Sequence, residues 1–142
     1  MIREMDISDY SEVIKLWSAT DEMLLRDADS QESIGKYLDR NPGLSFVAEV
    51  DEAIVGAILV GTDGRRGYVQ HLAVSSTCRG EGLGAQLVAS AVAALSEYGI
   101  DKTHLFVAND NLSAQGFYDK LGWFPRDEVR MFSFNSSSCS NV

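Results

Sequence analysis

The sequence predicts a mixed α/β domain: one mostly antiparallel central sheet with helices on both faces. Three observations carry that prediction. Three apolar runs, Leu44–Val50, Ala53–Gly61 and Gly67–Val74, are joined only by the short turns Asp51-Glu52 and Thr62-Asp63-Gly64. An Asp-Gly pair between apolar runs is a strong hairpin signal, so these runs read as an antiparallel meander. A helical stripe of Leu83, Leu87, Val88, Ala91, Val92 and Leu95 then leads to a further strand, Thr103–Val107, as a β-α-β crossover does.

The remaining elements follow in order. Ile2-Arg3-Glu4-Met5 alternates as a short first strand, and Asp6 or Ser8 can cap a helix carrying Tyr10, Val13, Ile14 and Trp17 and ending near Ser18. Thr20 to Ala28 is poorly periodic and reads as loop or partial helix. Asp29 and Glu32 have capping-box spacing, which places a second helix from there to about Arg40, stopped by Asn41-Pro42-Gly43. After the meander, Ala85 to Glu97 forms the third helix, with Gly99 as its stop. Asn111 caps a fourth, with Ala114, Phe117, Tyr118 and Leu121 on one face and Gly122 at its end. Trp123-Phe124, a turn at Pro125, and Val129 to Phe134 read as a final pair of short strands. The expected order is β-α-α-β-β-β-α-β-α-β-β, within one domain over residues 1–135. Residues 136–142 form a polar, flexible tail.

Composition narrows the function classes. The chain has 142 residues, 45% hydrophobic and 23% charged, which is the balance of an ordinary globular domain with a real core. A formal net charge of −9 argues against a partner held through nucleic-acid phosphates. No run is long or apolar enough to span a bilayer, and the N-terminal residues lack a signal-peptide pattern. Cys78 and Cys139 have neither metal-ligand spacing nor the makings of a disulfide framework, so no metal is expected and the default location is cytoplasmic.

The most informative stretch is Arg79-Gly80-Glu81-Gly82-Leu83-Gly84. An apolar strand precedes it and a helix follows. Glycines let the backbone approach a ligand closely, and the first N–H groups of a helix have no partners within it, so the arrangement suits a phosphate. Arg79 adds a guanidinium whose fork matches phosphate oxygens. Gly80 to Ala85 also fits the relaxed dinucleotide pattern G-x-G-x-x-A, with Asp101 downstream as a ribose-binding acid. That reading loses on context. The turn follows a meander rather than a first strand, Ser75-Ser76-Thr77-Cys78 intervenes, and too little chain remains for a second nucleotide-binding half.

Leu72-Ala73-Val74 followed by Arg79 to Gly84 resembles motif A of the GNAT N-acetyltransferase superfamily, R/Q-x-x-G-x-G/A. Independently, the stretch from Asn111 to Trp123 resembles its motif B, N-x-x-A-x-x-x-Y-x-x-x-G-F, with Trp123 in the final aromatic place. Both motifs occur in order, separated by one helix and one strand, and the likeness is greatest to small bacterial members such as the YpeA-like group. The resemblance implies a GNAT fold, acetyl-CoA as donor and an amine as acceptor. It implies that the backbone of Leu72, Ala73 and Val74 pairs with the pantetheine arm and that the N–H groups from Arg79 through Gly80, Glu81, Gly82, Leu83 and Gly84 cradle the pyrophosphate. Asn111 would contact the cofactor near its pantetheine part, and Tyr118 would lie beside the thioester sulfur as the acid for the departing thiolate. Dimers are common in the family, so a homodimer is a lean. A catalytically silent acyl-CoA-binding module is the alternative.

The general base is not legible. Neither the strand before motif A, with Tyr68, Gln70 and His71, nor the strand before motif B, with His104, Phe106 and Val107, carries a carboxylate. His71 is chemically suited, as is a water relay or a loop acid such as Asp21 or Glu22. A packed core histidine is an equally good reading of His71. Strict alternation would place it with Val69 and Ala73, opposite Tyr68, Gln70 and Leu72.

Overall fold

The computed structural model describes residues 1–142, in two compact units, Met1–Phe106 and Val107–Val142. The first holds a sheet of five strands in spatial order β1 (Ile2–Glu4), β2 (Phe46–Val50), β3 (Ala53–Thr62), β4 (Gly67–Val74) and β5 (Thr103–Leu105). The first four pair antiparallel and β5 runs parallel to β4, as the meander and crossover predict.

Helices α1 (Tyr10–Ser18) and α2 (Gln31–Arg40) bury their apolar stripes together. Val13 and Trp17 from α1 and Ile34 from α2 join Met5, Val47, Ala57, Leu59 and Ala73 in one core cluster. Ser30, rather than Asp29, caps α2: its hydroxyl accepts from the Ser33 N–H at 3.2 Å. The expected Asp29–Glu32 box does not form because Asp29 is drawn into other bonds.

Helix α3 (Leu83–Glu97) buries Leu87, Val88, Ala91 and Leu95 and packs on β2, β3 and β4. Gly67 admits its close approach, since a Cβ there would meet Leu95 Cδ1 at 2.6 Å. Val92, expected on the buried stripe, is 40% exposed, one step round the helix from the contact.

The second unit contains α4 (Leu112–Lys120), capped by the Asn111 carboxamide oxygen, which accepts from the Ala114 N–H at 3.1 Å. No strands follow it, which corrects the expected final pair. Pro125 has no N–H to donate to a ladder. Val129, Met131, Phe132 and Phe134 stand 63–90% exposed, so the alternating segment has no sheet face to bury. No helix is long and apolar enough to cross a membrane.

Candidate active site

The site is built around β4. On one side, Leu72, Ala73 and Val74 pair with Ile58, Ala57 and Gly56 of β3. On the other side β5 pairs only with Gly67, Tyr68 and Val69. From Gln70 to Val74 that second edge of β4 has no partner strand. An unpaired edge of this kind is a template for an extended ligand with amide groups.

The register shifts where the edge opens. Leu59 lies opposite His71, yet Val60 lies opposite Val69, so Gln70 is the extra residue of a bulge. Paired residues share a face, and Leu59 and Gly61 are two apart, so His71 and Tyr68 face the same way. This overturns the expected alternation: His71 keeps company with Ala73 and Tyr68, and Val69 turns to the face of α3.

At the C-terminal end of β4 the chain enters the glycine loop. Ser75 N–H donates to the Val55 carbonyl at 2.7 Å, and a single 3-10 turn, Ser76–Cys78, follows. Arg79 Nε donates to the Val74 carbonyl at 3.3 Å, which holds the guanidinium at the mouth of the loop. Gly80 and Gly82 have φ of +83° and +81°, in the left-handed region. Gly82 is the N-cap of α3 and supplies no capping side chain, so the first N–H groups of α3 are left for another acceptor. Gly84 lies within the first turn of α3, and Arg79, Gly80, Glu81 and Gly82 are exposed. A cleft of about 80 Å³ lies between the end of α1 and this loop, lined by Thr20, Ser75, Ser76 and Arg79 among others.

His71 is part of a packed polar cluster. Its Nε2 is 2.8 Å from Asp29 Oδ1, and its ring lies 4.8 Å from the Trp17 ring, centroid to centroid. The other Asp29 carboxylate oxygen accepts from the Arg26 N–H at 3.0 Å, and the Asp29 carbonyl accepts from the Tyr10 hydroxyl at 2.7 Å. Asp29 is therefore locked and holds the imidazole in turn. Asp21 and Glu22 are exposed, and Glu22 sits at φ 69°. Nearby, burial pushes the Tyr37 phenol up from its ordinary range, against a hydrogen bond from Gln70 that lowers it.

In the second unit Tyr118 is half-buried, edge-on to Phe117 at 5.0 Å and 5.5 Å from Trp123. Burial pushes its phenol up to about 12. Asn111 caps α4 with its carboxamide oxygen, which leaves the amide nitrogen for other partners. Nowhere do three His, Cys, Asp or Glu side chains gather as a metal-binding set.

The model of the Acetyltransferase (GNAT) family matches residues 8–123, most of the chain. The chain belongs to the GNAT acetyltransferase family. An acetyltransferase of Yersinia enterocolitica is 37% identical over 131 residues, 92% of each chain. Among solved structures, the fold resembles PaiA N-acetyltransferase from Thermoplasma acidophilum in complex with coenzyme A, at a TM-score of 0.75, with 20% identity and 85% and 87% coverage. It also resembles an aminoglycoside acetyltransferase from a soil metagenome in complex with sisomicin, with a TM-score of 0.81 at 20% identity and 96% coverage of both chains. At such identities the structures speak for the fold alone.

This GNAT acyltransferase contains features around β4 that its sequence does not announce. The bulge at Gln70 has no glycine or proline to mark it. Asp29 reaches His71 across 42 residues of chain and reads locally as a helix cap.

Proposed function

We propose that this enzyme transfers an acetyl group from acetyl-CoA to an amine. The observation that carries the reading is the β4 edge, open from Gln70 to Val74 and running into a left-handed glycine turn at the start of α3. In the Leu72-Ala73-Val74 stretch the pairing with β3 turns the backbone groups of Leu72 and Val74 to the open edge, where they suit the amides of a pantetheine arm as a strand added to the sheet, while those of Ala73 face β3. The N–H groups from Arg79 to Gly84, with the Arg79 guanidinium, suit the pyrophosphate. The Asn111 amide nitrogen is assigned to the pantetheine part.

Acetyl-CoA supplies an activated thioester carbonyl. The amine nitrogen forms a bond to that carbon, the carbon–sulfur bond breaks, and the thiolate leaves with the electron pair. One proton must leave the nitrogen and one must reach the sulfur. For the first we assign His71. An ionised Asp29 carboxylate can only accept, so His71 Nε2–H donates to it and Nδ1 keeps its lone pair for the proton. A backbone N–H between Gln70 and Ala73 is the assigned donor to the developing oxyanion.

For the sulfur we assign Tyr118, and its environment specifies how it acts. A phenol at about 12 stays protonated throughout the neutral range. Full transfer to a thiolate, whose conjugate thiol ordinarily sits near 8.5, is uphill by roughly 5 kcal/mol. Tyr118 therefore works as a hydrogen-bond donor that stabilises the leaving thiolate, and the net proton comes from the acceptor.

The test is steady-state release of CoA thiol with a panel of primary amines, for the wild type and for His71→Gln. The variant is expected to lose about 10²-fold in kcat near neutral pH and to recover as pH rises, because bulk base then deprotonates the amine. A uniform loss at every pH removes His71 from the role of base.

A further inference from the structure

A cavity of about 200 Å³ lies between α2 and the β3–β4 hairpin, on the face of the sheet that His71 and Tyr68 share. Gly61 keeps it open, since a Cβ there would collide with the Tyr37 hydroxyl and the Asn41 amide. Gln70 lines it from the bulge, at the point where the open edge of β4 begins. Arg40, the last residue of α2, lines it too.

The charges here are unevenly committed. Asp63 also borders the cavity, but its Oδ1 accepts from the Arg65 and Arg66 N–H groups, both at 2.8 Å. Asn41 is spent as well: Nδ2 donates to the Tyr37 carbonyl at 3.1 Å, and Oδ1 accepts from the Thr62 N–H at 3.0 Å. Arg40 is exposed and takes part in none of the ion pairs of the chain, which engage Arg3, Lys36, His71 and Arg126.

We propose that this cavity receives the acceptor and that Arg40 selects amines that also carry a carboxylate, of the size of a single amino acid. The assignment rests on the acetyl-transfer reading and deepens it. An uncommitted guanidinium presents a planar fork that matches a carboxylate at two points. The chain as a whole, at −9, repels anions, so an anionic group is held only where a local cation offsets that field. The volume decides the scale, because drug-sized ligands occupy pockets of about 300–1,000 Å³ and this one is smaller.

The experiment compares kcat/KM for amino acids and for their carboxamides, at saturating acetyl-CoA, in the wild type, Arg40→Gln and Arg65→Gln. The intrinsic basicity of each amine cancels when the acid-to-amide ratio is compared between proteins. The wild type is expected to favour the acid, and Arg40→Gln to lower that ratio about tenfold, the size of one charge-assisted bond. Arg65→Gln, outside the cavity, leaves the ratio unchanged. Wild type that favours the amides, or an equal ratio in Arg40→Gln, overturns the assignment while acetyl transfer stands. Should no amine be acetylated and acetyl-CoA raise no melting temperature, the acetyl-transfer reading is what has failed. If acetyl-CoA binds without turnover, protection by amino acids that is lost in Arg40→Gln supports the site, and no protection overturns it.

Discussion

At Gly82 the backbone sits at φ +81°, and the only neighbour a Cβ would meet is Gln86 Nε2 at 4.0 Å. Space is therefore no obstacle to a side chain, but the left-handed conformation is. Gly82→Ala is expected to cost about 1–2 kcal/mol of stability in urea unfolding. It is also expected to weaken acetyl-CoA binding in calorimetric titration, because the turn aims the first N–H groups of α3. Tyr118→Phe is expected to lower kcat with little change in the Kd for acetyl-CoA, since the phenol is assigned only to the departing sulfur. Unchanged turnover would remove Tyr118 from the chemistry. A third prediction concerns acid stability. Two hydrogen bonds from Arg3, at 2.9 and 2.8 Å, hold the buried Asp9 carboxyl below the usual carboxylate range. A depressed value means the contribution is present above the unfolded carboxyl's pKa, about 3.9, and is lost as pH falls through the folded value. Asp9→Asn should cost about 1–2 kcal/mol at neutral pH and flatten the acid limb of the stability curve. The left-handed glycine turn before α3 and the Asn111 cap of α4 were legible in the sequence because glycine spacing and cap chemistry mark them, and motif spacing is what nominates Tyr118. Arg40 and Asp29 were not, since a basic residue ending a helix and an acid beginning one have ordinary local explanations.

Among the elements, those fixed by local pattern read well. The β3–β4 hairpin falls where Asp63-Gly64 requires it, and β4 spans Gly67–Val74 as the apolar run predicts. Elements whose form depends on distant partners read less well. The bulge at Gln70 exists only in the pairing of β4 with β3, and it alone brings His71 and Tyr68 to one face. The alternation of Val129 to Phe134 promised a strand, yet a strand needs an edge to pair with and a face to bury. Helix α3 offers the clearest test at this scale, because its stripe was predicted one residue too wide. Leu87 is fully buried and Val92 is 40% exposed. Leu87→Ala is expected to cost about 2–5 kcal/mol in equilibrium unfolding. Val92→Ala is expected to stay within about 0.5 kcal/mol, and comparable costs would mean that α3 packs through a different face.

For the molecule as a whole, the family match spans residues 8–123, and so covers motif A in the first unit and motif B in the second. What the sequence conveyed at this scale was the family, because the glycine turn and motif B are each local and need few residue types. The cavity proposed for the acceptor is lined from the end of α2 and from the β3–β4 hairpin with its bulge, two stretches separated in sequence by β2 and most of β3, so no motif could announce it. The central claim is that the open edge of β4 and the glycine turn together serve acetyl transfer. It is tested most directly by incubating the protein with acetyl-CoA labelled in the acetyl group and a panel of amino acids, amino-acid amides and polyamines, with mass spectrometry of the products. The account predicts labelled N-acetyl product from at least one amine, with one CoA thiol released per acetyl group transferred. Acetyl-CoA that remains intact with every amine, or is hydrolysed without any N-acetyl product, would contradict it.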